Sequence, residues 1–234
     1  MTPGSAAVSV PVLLAVAHGS RDGAAQDSVA ALANRVSQLA PALDVRTAFV
    51  QHARPSLADA LAAAGSTVVV VPLLLSTGYH LTADIRAVAR AAGAPVAAPL
   101  GPDPLLADAL ADRLAEAGRP AGTPTVLAAA GSADPGATAD VACQADLLAD
   151  RLRAPVTAAF AAAGQPTVTQ ALATLHADTG SPVSVATYLL SPGHFHDQLR
   201  YAAATWVSAP LGDHQSVARL VLDRFSAARE AAAS

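Results

Sequence analysis

The chain has 234 residues, enough for one large or two small domains with a real core. Its 53% hydrophobic content is high, yet much of that is alanine, and no apolar run reaches the length of a membrane span. A net charge of −4 argues against a nucleic-acid partner, the lack of lysine excludes Schiff-base and P-loop-lysine chemistry, and a lone Cys143 excludes an intrachain disulfide framework or a thiolate metal cluster.

Residues 1–10 read as a frayed tail without the basic start of a signal peptide, which leads us to expect a cytoplasmic protein. Val12–Ala17 is a short buried strand that runs into His18, Gly19, Ser20 and Arg21. The next stretch repeats apolar residues at Val29, Leu32, Val36 and Leu39, one stripe of an amphipathic helix, with Asp22 or Ser20 as its N-cap. His18 therefore lies where a strand ends and a helix begins, the edge at which parallel sheets bind ligands. Pro41 closes the helix, Asp44–Val50 reads as a second strand, and Gln51, His52, Ala53 and Arg54 form its exit. A second helix runs from Pro55 to Ala64 and stops at Gly65.

Thr67–Leu75 is the most apolar stretch, a strand covered on both faces, with Pro72 marking an edge or bulge. Ser76 to His80 reads as its exit loop, with Thr82 capping a helix to about Ala92. Pro95–Gly101 reads as a fourth strand and Asp103–Ala117 as a fourth helix. Four βα units in a row predict a doubly wound α/β domain.

After the Gly/Pro-rich stretch 118–124 the pattern begins again. Ala130-Gly131-Ser132 echoes His18-Gly19-Ser20, Leu189-Leu190-Ser191 echoes Leu74-Leu75-Ser76, and Ala209-Pro210-Leu211 echoes Ala98-Pro99-Leu100, at offsets of 112, 115 and 111 residues. Three echoes at strand exits predict a duplication: two doubly wound α/β/α domains with parallel sheets, 11–118 and 124–230, and a cleft between them. Ala130 occupies the position of His18 and Phe195 that of His80, so the second copy is the degenerate one. His194 and His196 flank Phe195, either as a solvated helix start or as groups reaching into the cleft. His176 and His214 read as ordinary helix residues, and Cys143 as a small core residue.

Parallel strands share one exit edge, so His18, the Gln51/His52 pair and His80 can converge although they are distant in sequence. Two neutral imidazoles with open positions suit a divalent transition metal that is held loosely. No HExxH, cysteine pair or carboxylate cluster is present. A histidine phosphatase would need an arginine where Ala17 stands, and neither G-x-S-x-G nor G-x-G-x-x-G follows a strand. A non-catalytic metal carrier is the remaining rival.

VAHGSR, AFVQHARPSLADAL and PLLLSTGYHLTADI resemble the N-terminal half of the sirohydrochlorin chelatases, the CbiX/SirB type of class II chelatases. AAAGSAD and YLLSPGHFHDQL resemble the C-terminal half of the long two-domain form. The resemblance implies insertion of Fe(II) or Co(II) into sirohydrochlorin, with iron favoured, and no permanently bound cofactor. The family's two essential histidines fall on His18 and His80. Where many members carry a glutamate at the end of the second strand this chain has Gln51, with His52 beside it as a substitute. The substrate that the resemblance implies is an octacarboxylate, which calls for cationic forks around the cleft: Arg21, Arg54 and Arg86 from the first half and Arg200 from the second, with hydrogen bonds from Ser20, Thr77, Gly78, Ser132 and Ser191. A monomer with two pseudo-symmetric domains is expected, with no membrane partner.

Overall fold

The computed structural model describes residues 10–65, 67–200 and 202–233, without the side chains of Tyr79, His80 and Leu81. Fifteen elements follow in chain order: β1 (Val12–Ala17), α1 (Gly23–Leu39), β2 (Asp44–Phe49), α2 (Leu57–Ala64), β3 (Val68–Pro72), α3 (Tyr79–Ala91), α4 (Pro104–Glu116), β4 (Thr125–Gly131), α5 (Pro135–Leu152), β5 (Val156–Ala163), α6 (Val168–Thr179), β6 (Ser184–Tyr188), α7 (His194–Arg200), β7 (Trp206–Val207) and α8 (Gln215–Ala233). They build two parallel sheets, ordered β2-β1-β3 and β5-β4-β6-β7.

Strand alternation sorts the core into layers. Leu13, Ala15 and Ala17 face Val29, Leu32 and Val36 of α1, while Val12, Leu14 and Val16 face Leu57 and Leu61 of α2 and Ile85 of α3. In the second half Leu127 and Ala129 face Val141, Ala145 and Leu148 of α5, and Val126 and Ala128 face Leu172 of α6. The two inner faces belong to one continuous core. The sequence assigns α4 to the first unit, but it packs on β6 and α5; α8, last in the second, packs on α1, α4 and β3. The halves thus exchange their final helices.

The duplication is visible in the turns. Asp22 and Asp134 cap α1 and α5 in the same way, each accepting from the N–H two residues on. Ser56 and Thr167 cap α2 and α6. Gly19 and Gly131 have φ of 96° and 97°.

Four local expectations change. The expected strand 95–101 is reduced to a single bridge between Val70 and Val96, because Pro95 and Pro99 have no N–H to extend a ladder. The second helix starts at Leu57, with Ser56 rather than Pro55 setting its start. Helix α3 is capped at Gly78, not Thr82, and so begins at Tyr79; His80 is thereby a first-turn residue instead of a loop residue. Cys143 is exposed, because the phase set by Val141, Ala145 and Leu148 turns Gln144 inward instead. Gln144 is fully buried yet satisfied: its Oε1 accepts from Asp103 N–H at 2.9 Å and its Nε2 donates to Asp103 O at 3.3 Å. Among the described residues no helix is long and apolar enough to cross a membrane.

Candidate active site

The exits of β1 and β2 meet at Gly19. A side chain there would put Cβ 1.7 Å from Gln51 O, so only glycine lets the two exit turns approach this closely. Gln51 N–H donates to His18 O at 3.0 Å, which locks the turns together. In this arrangement Gln51 Nε2 lies 2.8 Å from His18 Nε2. An amide NH2 can only donate, so with this amide orientation His18 Nε2 accepts and the imidazole is neutral, with its proton on Nδ1.

Desolvation holds the His18 pKa below the ordinary imidazole value, and repulsion from His52 adds to it. The two rings stand edge to face with centroids 6.4 Å apart. His52 has φ of 62°, in the left-handed region that disfavours non-glycine residues. The outcome is a neutral imidazole whose Nε2 lone pair is held by the Gln51 amide and becomes available to a metal or a proton when that amide swings away.

His18 faces a cavity of about 330 Å³ walled by both halves. The first half contributes Ala17, His18, Gly19, Ser20, Ala25, Gln26 and Val29; the second contributes Leu190, Ser191, Gly193, His194, Phe195 and His196. Desolvation also lowers the His196 pKa, with Arg200 adding to this and Asp197 opposing it. His194 Nε2 lies 3.0 Å from Gln198 Nε2.

The other residues singled out in the sequence lie at varied distances from this cavity. Ser20 is part of the wall, and its Oγ accepts from Asp22 N–H at 3.0 Å. Arg21 is exposed beside it in sequence. Arg54 is 82% exposed and pairs with Asp59 at 3.1 Å. Arg86 lines a separate depression with Thr77, Thr82 and Arg90. Thr77 donates from both N–H and Oγ1 to Asp140 Oδ2, at 2.7 and 2.5 Å. Gly78 caps α3, and the His80 side chain lies outside the described residues. His176 and His214 engage local backbone, through Ser181 O and Ser216 N–H respectively.

Sequence reasoning missed Gln26, Phe49 and Leu73 in the cavity wall. Gln26 Nε2 donates to Ser20 O at 2.9 Å and so braces the loop after His18. The signal was in the helix period: Gln26 lies three residues before Val29, on the same inward stripe.

The CbiX family model matches residues 12–117 and again 124–228. A sirohydrochlorin cobaltochelatase of Methanosarcina acetivorans is 31% identical over 77 residues, a stretch that spans 31% of this chain and 59% of that protein. Among solved structures, SirB from Bacillus subtilis with Fe3+ superposes with a TM-score of 0.79 at 25% identity, over 95% of this chain and 96% of that one. CbiX, described as the terminal enzyme for biosynthesis of sirohaem in denitrifying bacteria, gives 0.70 at 26% identity, over 93% and 99%.

Proposed function

Because the chain belongs to the CbiX family, we propose that it inserts a divalent metal into sirohydrochlorin, Fe(II) for sirohaem, with Co(II) for cobalamin as the second reading. The observation that carries this is a neutral His18 at a strand exit, facing a cavity walled by both halves. The iron-bound SirB and the sirohaem-forming CbiX support iron; the relatives named as cobaltochelatases and a cobalt complex of SirB keep the second reading open. The metal is a substrate here, with no resident cofactor in the reading. The reading divides the chain into two units, 11–118 with the proposed catalytic pair and 124–230 without it, a division supported by matched segments at 12–117 and 124–228. A cytoplasmic monomer completes the proposal.

Metal insertion requires two pyrrole N–H protons to leave while the ion sheds its own ligands. His18 Nε2 has one lone pair, which it offers to the ion when the Gln51 amide swings off it, and the same atom can take a proton once the ion has moved on. The Gln51 amide is neutral, so it holds the ring without neutralising a charge on it. That leaves proton removal to imidazoles, His18 and His80, with His52 next to the site. The apolar wall of Val29, Phe49, Leu73 and Phe195 suits a flat macrocycle, and we assign its carboxylates to Arg21, which is exposed and next in sequence to the wall residue Ser20.

The test is to mix the chain with sirohydrochlorin and Fe(II) or Co(II) and follow the absorption spectrum. His18→Ala and His80→Ala should each abolish most insertion while the far-UV dichroism is unchanged. Near-normal turnover of either variant in excess metal refutes the assignment. Metal binding by the wild type without spectral conversion supports a carrier instead.

A further inference from the structure

The segment that leads from β3 to His80 is held from the opposite half of the molecule. Up to Leu74 its backbone is fixed within the first half: Leu73 N–H donates to Val16 O at 2.8 Å, and Leu74 O accepts from Leu100 N–H at 2.8 Å. Beyond that, among the described residues, the hydrogen bonds to 75–77 come from the second half. Tyr188 Oη donates to Leu75 O at 2.7 Å, and Asp140 Oδ2 accepts both the N–H and the hydroxyl of Thr77. Tyr188 is 2% exposed at the end of β6, while Asp140 sits half-buried on α5.

The duplication supplies an internal control. By the offsets of the repeat, Asp140 corresponds to Ser28, Thr77 to Pro192 and Tyr188 to Leu73. Proline has neither an N–H nor a hydroxyl to donate, and leucine has no hydroxyl. The reciprocal clasp, from the first half onto the turn before Phe195, is therefore chemically impossible. The clasp exists only on the turn whose histidine is retained.

We propose that Asp140, with Tyr188 behind it, is a positioning residue for the His80-bearing turn, so that the second half sets the geometry of the first half's catalytic pair. A carboxylate suits the task because its charge strengthens both bonds from Thr77. Tyr188 stays protonated and donating, since burial, reinforced by the charges of Asp140 and Asp103, pushes its hydroxyl well above the ordinary phenol range. A first-turn residue three positions from Thr77 inherits any shift of that anchor, and a displacement of about 1 Å in a catalytic group can cost about a hundredfold in rate.

The inference rests on the proposed chemistry only for its catalytic consequence, so the experiment has two arms. In the full chain, Asp140→Ala, Asp140→Asn and Tyr188→Phe are compared with wild type by hydrogen exchange and by metal-insertion kinetics. In Asp140→Ala, amides 76–80 should exchange about tenfold faster while the strands are unchanged. Its kcat should fall about tenfold or more, with KM for the tetrapyrrole nearly constant. Asp140→Asn keeps an accepting oxygen and should recover most of the kcat; Tyr188→Phe should lie between. Unchanged exchange at 76–80, or unchanged kcat despite faster exchange, overturns the proposal. So does destabilisation of the whole chain that asparagine fails to rescue. A wild type that inserts no metal refutes the proposed function and leaves the exchange arm to decide the clasp.

Discussion

The pair Gly19 and Gly131 separates what the fold needs from what the chemistry needs. Each has a φ near +96° and lies against a carbonyl of the neighbouring strand exit: an added Cβ would sit 1.7 Å from Gln51 O or 1.9 Å from Ala163 O. Alanine at either position imposes an unfavourable backbone conformation, about 1–3 kcal/mol. It also imposes overpacking against main chain that cannot swing away, about another 1–3 kcal/mol. Gly→Ala returns about 0.4–1 kcal/mol through the unfolded chain. The net loss is about 1–5.6 kcal/mol, or roughly 2–22 °C in melting temperature for a chain of this size. Thermal unfolding should give similar losses for Gly19→Ala and Gly131→Ala. Metal insertion per folded molecule should collapse only in Gly19→Ala, because only that turn carries an imidazole, His18, beside a Gln51 partner. Equal catalytic losses in the two variants, or a Gly19→Ala protein as stable and active as wild type, would refute the reasoning.

Arg21→Ala should weaken tetrapyrrole binding roughly tenfold, as expected for a lost charge-assisted contact. Arg54→Ala should change it little, because Arg54 is solvated and paired with Asp59; titration calorimetry that finds the two equal removes Arg21 from the site. His18 and His196 both have pKa values held below the ordinary imidazole value, by desolvation first in each case. Between the folded and ordinary values the unfolded chain binds more protons, so this contribution to apo stability is full above pH about 6.5 and is lost as pH falls through the folded values. Urea midpoints of His18→Ala/His196→Ala should therefore fall less than those of wild type between pH 7 and 5, and equal slopes would refute the shifts. His194→Ala/His196→Ala should alter turnover far less than His18→Ala; a loss as deep would mean that both halves share the metal.

Much of this was legible because the relevant rules are local. An apolar run into His18 sets a strand exit, three echoes at a near-constant offset reveal the duplication, and parallel strands force their exits onto one edge. What was hidden required knowing the neighbour. The stripes of α4 and α8 announce that a face is buried, but not against which sheet. Sequence order assigns each to its own half, and packing assigns each to the other. Cys143 was misplaced by residue type, although the phase of its own helix already pointed to Gln144. A buried glutamine is improbable until the Asp103 backbone is seen to satisfy it. Thr82 has the residue type of a cap, yet the helix is capped at Gly78 and leaves the Thr82 hydroxyl buried without a partner among the described residues.

The exchanged helices explain how one half can lack histidine at positions 130 and 195 without becoming dispensable. The core between the sheets is built from α1, α4, α5 and α8 together, so the stability of each half depends on residues such as Leu110 and Val221 that belong in sequence to the other. That requirement is indifferent to whether position 130 is histidine or alanine. Once Phe195 stands where a second imidazole would, the second half presents an apolar wall, with His194 packed against Phe195 at a centroid distance of 5.6 Å. In the proposed reaction, a planar macrocycle between these unlike faces would have one side that exchanges metal and protons and one that only holds it. The contacts of Tyr188 and Asp140 run in the same sense, from the holding half to the reacting half. Asymmetry in the chemistry and asymmetry in the clasp thus follow from one duplicated frame, since the shared core fixes both halves whatever side chains line the cleft.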